Sequence, residues 1–304
     1  MTAGRSPSLE GEGHVSGGSS AVALDASALD LVVAALAGRD DRRGILSVLS
    51  RFSVLVIGEP REGDGPPLAP DAHAVAAVLA RLLPATGILW TATPGDLPYN
   101  LARRSLTLDH LSDARAGVVF GALPDDPEEE RIRVVRDLWN SWPVESLIAD
   151  RERGVFAETD GIRAISHAGP RFPVAGALAT PSSRQGEPVS AWVPRSPGAV
   201  AAVGSLVDLV IVDLDGGDAD DLRSAARSAG AQVLLRGDDS AIVGAEAVPG
   251  ERPLRLLGAS AIRAAVGAVE PPRGLPAGSL RERLGLRPRR LDLSDRPRAF
   301  GGVR

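Results

Sequence analysis

Short, uninterrupted apolar runs recur along this 304-residue chain, each followed by a stretch of helical periodicity, and this alternation is what most restricts its fold. FSVLVIGEP (52–60), GILWTAT (87–93), AGVVFGA (116–122), EPVSAWVP (187–194), VDLVIVDLD (207–215) and AQVLLRG (231–237) read as strands buried on both faces. DAHAVAAVLARLLP (71–84), closed by Pro84, and PYNLARRSLTLDHLS (98–112) read as helices. DDPEEERIRVVRDLWNSW (125–142) opens with acids that suit the positive end of a helix dipole, and it sets Ile132, Val135, Leu138, Trp139 and Trp142 on one face. SPGAVAAVGSL (196–206) offers Ser196 as N-cap and Pro197 at the first turn, and DADDLRSAARSAG (218–230) stops at Gly230. Near the start, ALDASALDLVVAALAG carries Leu24, Leu29, Leu31, Val32 and Leu36 at helical spacing, with Gly38 as its stop. After Asp238 the pattern weakens: SAIVGAE and RPLRLLG read as strands, SAIRAAVGAV (260–269) and SLRERLGL (279–286) as helices. Six good strands alternating with helices predict an α/β protein with a parallel sheet. Counting alone leaves a doubly wound sheet and an incomplete (β/α)8 barrel both open.

Two regions leave the alternation. Residues 1–20, rich in Gly and Ser, have too little apolar surface to offset ordering entropy and are expected to form a disordered arm. Over 143–187, GVFAETDGIRAISHAGPRFPVAG has short β-like pieces separated by Gly and Pro, the pattern of an inserted hairpin or extended excursion. The domain then spans 21–286, and 287–304 reads as a tail. Composition removes whole chemistries. Cysteine is absent, so there is no disulfide, thiol nucleophile or thiolate zinc site. All 34 basic residues are Arg, which removes Schiff-base catalysis and a Walker-type phosphate lysine. His14, His73, His110 and His167 never pair at i, i+4, so no metal site is expected. A net charge of -5 announces no nucleic acid, and no apolar run reaches the roughly 18 residues a membrane span needs. The first 20 residues lack the apolar segment of a secretory signal, so a cytoplasmic protein is expected.

Three stretches carry a family resemblance. GILWTATPGDLPYNLARRSLTLDHLSDARAG (87–117) is similar to a strand, helix and turn of the luciferase-like flavin-dependent monooxygenases, in the branch of nitrilotriacetate and dibenzothiophene-sulfone monooxygenases. LWNSW (138–142) followed by HAGPRFPVAGALATPSSRQGEPV (167–189) resembles that branch's helix end and insertion, and SLRERLGL its C-terminal helix. They occur in the family's order over about half the chain. The resemblance implies a (β/α)8 TIM-type barrel, incomplete or compacted, with the excursion at about 143–187. It also implies reduced FMN as cofactor, a separate flavin reductase as partner, O2, a small organic substrate, and a homodimer through exposed helices. The chain departs from the family after the fourth strand. AGVVFGALPDDPEEER runs straight into a helix, where the family has Trp-Asn-x-Val-Thr-Ser and a long flavin-lining segment. Loss of flavin binding, leaving a scaffold or partner subunit, is therefore the alternative reading.

Candidate site residues follow from position. Thr91 and Thr93 lie at a strand's carboxyl end, where such barrels gather their active sites, and offer hydroxyls to a flavin ring. Arg195, Ser196 and Gly198 lie between strand and helix as a phosphate seat, in the place of the family's Gly-x-Ser-x-x-Gly turn. Their ordinary alternatives are a loop threonine and a plain N-cap. His110 is better read as a helix-end residue bonded to backbone than as a general base, and His167 as a turn residue. Arg103 and Arg104 suit pairing with carboxylates of an adjacent helix. The run Asp213, Asp215, Asp218, Asp220 and Asp221 lacks the glycine and distal Glu of a calcium loop and suits a helix start. Trp90 and Trp192, ending two strands, are expected to plug the barrel mouth. No residue is assigned as catalytic.

Overall fold

The computed structural model describes residues 21–58, 70–121, 128–238, 248, 251–267 and 277–300. In chain order the elements are β1 (Ala21–Leu24), α1 (Ala26–Leu36), α2 (Arg42–Leu49), β2 (Val54–Ile57), α3 (Ala72–Leu82), β3 (Gly87–Thr91), α4 (Pro98–Leu111), β4 (Ala116–Phe120) and α5 (Glu128–Asn140). A hairpin of β5 (Leu147–Asp150) and β6 (Val155–Ala157) follows. The order then continues with β7 (Val189–Trp192), α6 (Pro197–Val203), β8 (Leu209–Asp213), α7 (Ala219–Ser228), β9 (Gln232–Gly237), β10 (Glu251–Leu257), α8 (Ala259–Ala265) and α9 (Leu280–Arg283). Eight parallel strands close on themselves in the order β1, β2, β3, β4, β7, β8, β9, β10, with β10 paired back to β1. This is a TIM-type (β/α)8 barrel. It is complete in its strands, so its compactness resides in the connections.

Strand alternation divides the apolar side chains into two populations. Ala21, Ala23, Val54, Val56, Leu89, Val119, Val189, Ala191, Leu209, Ile211, Leu234 and Leu254 form one packed cluster inside the barrel. Val22, Leu24, Leu55, Ile57, Ile88, Trp90, Val118, Phe120, Trp192, Val210, Val212, Val233 and Leu235 belong to a second cluster shared with the helices. Both faces are apolar, which is why the runs have no polar interruption. At Gly117 on β4 a Cβ would come within 2.4 Å of the Val189 carbonyl oxygen, so only glycine allows this approach of β4 to β7.

The N-terminal end of the barrel is stoppered by α9. Leu280 and Leu284 join the interior cluster, and a Cβ at Gly87 would lie 2.5 Å from Leu280 Cδ1. Ser279 and Glu282 close a capping box that starts this helix at the right place. Residues 147–157 form the antiparallel hairpin of the excursion. The segment 287–300 lies along that excursion: Glu187 N donates to Arg289 O (2.9 Å), Ala164 N to Pro297 O (2.9 Å), and Leu293 is buried.

The structure revises three expectations. The residues read as the start of a first helix, Ala23 and Leu24, belong to β1, the first barrel strand; the helix begins only after Asp25, whose carboxylate accepts from Ala28 N at 2.8 Å. Helix α2 was not foreseen, since RRGILSVL is short and follows a charged turn. Trp90 and Trp192 do not plug the mouth. Even-numbered positions of β3 and β7 face outward, and Trp90 meets His73 of α3 (ring centroids 4.8 Å apart) and Arg104 of α4 (5.0 Å). The arm 1–20 and the run SAIVGAE lie outside the described residues. Among the described residues no helix is long and apolar enough to cross a membrane.

Candidate active site at the barrel mouth

The three stretches that carry the family resemblance meet, but at the floor of the barrel. Asp109 at the end of α4 is buried, 1% exposed, and accepts from Ser183 Oγ (2.5 Å), Gln185 Nε2 (2.7 Å) and Ala116 N (3.2 Å). Burial pushes its carboxyl up to about 6, against the pull of these hydrogen bonds. His110 Nε2 bonds Pro181 O at 3.0 Å, so Leu-Asp-His-Leu-Ser is latched to the end of the excursion. Arg281 of α9 joins the same junction. Its N–H donates to Gln185 Oε1 (3.1 Å), its Nε to Glu187 O (3.2 Å), and its guanidinium to Asp208 at 2.8 and 2.9 Å. Glu187 is clamped in turn by Arg136 of α5 (2.7 and 3.1 Å) and by Asn140 Nδ2 (3.0 Å). LWNSW contributes Ser141, whose Oγ accepts from Leu178 N (2.9 Å). These motifs fasten helix ends, excursion and stopper together at the face of a barrel that governs stability. His110 is thereby a structural residue, and His167, expected in a turn, instead forms an antiparallel bridge with Val174 and bonds Glu130 (3.0 Å). Two clefts of about 570 and 400 Å3 border this junction and the 290–294 segment, away from the mouth.

The opposite end, at the carboxyl ends of the strands, is where such barrels do chemistry. Continuing the alternation of the interior residues upward gives its inward ring: Asp25, Gly58, Thr91, Gly121, Val193, Asp213, Arg236 and Leu256. Across β2, β3 and β4 the ring is low and uncharged, with two glycines flanking Thr91. Thr91 is buried and donates from Oγ1 to Gly58 O at 2.8 Å. Across β8, β9 and β10 the ring is taller. Arg236 and Asp213, direct neighbours in register, form a two-armed ion pair, with Nη2 to Oδ2 at 2.7 Å and Nε to Oδ1. Leu256 beside them is 39% exposed, unusual for a barrel leucine.

The predicted site residues all lie on this rim. Thr93 is exposed, and Asp96 accepts from its N (2.7 Å) and its Oγ1 (3.0 Å). Arg104 ties Asp96 (2.6 Å) to Asp71 (3.0 Å), the N-cap of α3, so its carboxylate partners come from a loop and a helix start. Ser196 caps α6, accepting from Ala199 N at 3.3 Å, and Arg195, Ser196 and Gly198 are exposed at the end of β7. Thr91 and Thr93 stand at β3 and Arg195, Ser196 and Gly198 at β7, with β4 between the two groups. Behind the β3 and β4 ends, Arg131 and Glu128 form a buried pair (2.7 Å), and Arg131 Nη1 donates to Thr93 O (3.1 Å). Sequence reading passed over Arg236. Its signal was available: it follows Leu234 by two residues at the end of a strand, which places it inward at the carboxyl end. Asp213, taken as the head of an acidic helix start, is its partner. Among the described residues no cluster of His, Asp or Glu is arranged to hold a metal.

No family model matches the sequence. The chain is 32% identical over 221 residues to a subunit of the pristinamycin IIA synthase of Streptomyces pristinaespiralis, covering 69% of this chain and 75% of that protein. It is 34% identical to the dibenzothiophene-sulfone monooxygenase of Rhodococcus erythropolis over 119 residues, but these span only 26% of that longer protein. In structure it is similar to DmoA from Hyphomicrobium sulfonivorans (TM-score 0.56, 20% identity, 73% of this chain and 60% of that one). EDTA monooxygenase from Chelativorans sp. BNC1 is comparable (TM-score 0.52, 22% identity, 74% and 64%). These structural likenesses speak for the fold, whereas the long match to the pristinamycin IIA synthase protein, across three quarters of its length, speaks for descent. The chain belongs to the luciferase-like monooxygenase family.

Proposed function

We propose that this chain is the oxygenating component of a two-component monooxygenase: it takes reduced FMN from a separate flavin reductase and oxidises a small organic substrate with O2. The observation that carries the proposal is the match to the synthase protein over most of its length, combined with a closed eight-stranded barrel of the family's type. The residues present fit a flavin. Thr91, at the carboxyl end of β3 between Gly58 and Gly121, carries a hydroxyl oxygen whose lone pairs can accept from a ring N–H, and the Arg131 guanidinium lies behind it on Thr93 O. Arg195 and the α6 cap at Ser196 and Gly198 stand exposed where the phosphate would lie. Bound in its reduced form, the flavin supplies the electrons for oxygen activation. The chain's own residues hold and orient it, and the apolar interior beneath (Ala23, Val56, Val119, Ala191) keeps water from below.

Titration of the purified protein with FMN, followed by flavin fluorescence, tests this reading. Saturable binding that weakens in Thr91→Val is expected. No binding at excess FMN would contradict it and transfer the chain to the other role, a partner subunit without its own flavin.

A further inference from the structure

The Arg236 side chain is 14% exposed and stands at an inward position of the mouth ring, with one edge of its guanidinium on Asp213. Its Nε and Nη2 grip Asp213, whereas Nη1 takes no hydrogen bond among the described residues. A guanidinium gripped along one edge is held in a fixed orientation, and the remaining N–H groups are aimed rather than free to wander. The ring positions on either side are apolar: Leu256 on β10 is 39% exposed, and Val193 on β7, next in the ring after Asp213, is half-buried against the interior cluster. Partly exposed cross-strand ion pairs contribute little to stability, so the fold does not require this pair. This one sits at the carboxyl ends of the sixth and seventh barrel strands, where barrels of this type seat ligands.

We infer that Arg236, aligned by Asp213, anchors a carboxylate of the substrate while Leu256 and Val193 contact its apolar body, so that the substrate class is a small amphipathic organic acid. This rests on the monooxygenase reading for what happens next, but not for the binding itself. Arg236 lies across the mouth from the β2–β4 side of the ring and two strands from Arg195, so the substrate and the flavin phosphate have separate cations.

The test uses the full chain and two probes of equal shape, benzoate and benzamide, with binding followed by saturation-transfer NMR. Wild type is expected to prefer benzoate by about tenfold, the scale of one charge-assisted hydrogen bond. Arg236→Gln should lose that preference, and Asp213→Asn, which leaves the guanidinium present but no longer held in orientation, should reduce it. Equal binding of the two probes by wild type, or undiminished benzoate binding by Arg236→Gln, would overturn the inference. An FMN and riboflavin pair separates the two sources of an anion. If Arg236→Gln weakens FMN and spares riboflavin, the residue serves the flavin phosphate and the substrate assignment is wrong. If wild type binds benzoate selectively but no flavin, the flavin reading fails and the anchor stands.

Discussion

At the residue scale, Asp109 shows how a shared motif can be explained without chemistry. Its carboxyl is raised from the ordinary 3.8 to about 6 because burial costs the charged form more than Ser183, Gln185 and Ala116 N return. A group whose folded value is raised binds its proton more tightly when folded. It therefore adds stability below the unfolded value, and that increment, about 3 kcal/mol at most, is lost as pH rises through about 6. Asp109→Asn removes the titration. Thermal melts should show wild type gaining on the variant between pH 7.5 and 5; a difference that stays flat with pH would contradict the assignment. The same scale shows what could be read from sequence. Ser196 as N-cap and His110 as a helix-end residue were legible because capping depends on immediate neighbours. Arg236 was not, since its role depends on Asp213, 23 positions earlier, and on which face of a closed barrel each strand presents.

At the element scale, the barrel strands depend on the stopper α9 and on close strand contact. Leu280→Ala empties a fully buried position at the floor and is expected to cost about 2–5 kcal/mol in denaturant unfolding. Arg281→Met should cost a comparable amount, because Asp208, buried and bonded to both guanidinium arms, loses its main partner. Gly117→Ala has no room: the added carbon would press on the Val189 carbonyl between β4 and β7, and soluble expression or cooperative melting should be lost. Each helix position whose loss leaves the melt unchanged would show that the floor is less coupled than the structure implies. The strands β2, β3, β4, β7, β8 and β9 were visible as apolar runs because both of their faces are buried. β1 was hidden because AVAL passes into DASALDLVV with no break in Ala and Leu, and a four-residue strand is too short to override the following helical period.

At the scale of the whole molecule, most of the residues that carry the resemblance to known monooxygenases fasten the floor of the barrel, whereas the expected site lies at its mouth, where only Thr91 and Thr93 belong to a resembling stretch. The Leu-Asp-His-Leu-Ser turn, the LWNSW helix end with the excursion, and SLRERLGL interlock at the floor. They identify the scaffold, which is why fold and family were legible. The mouth carries this chain's own arrangement, a glycine side facing an Arg236–Asp213 side, and it was legible only in part because it is assembled from eight separate strand ends. Hydrogen exchange with and without FMN, read peptide by peptide, tests this division most directly. Added protection is expected at 91–96, 193–198 and 209–216, with the floor peptides 108–116 and 279–289 unchanged. Protection centred on the floor, or none at any FMN concentration, would contradict it.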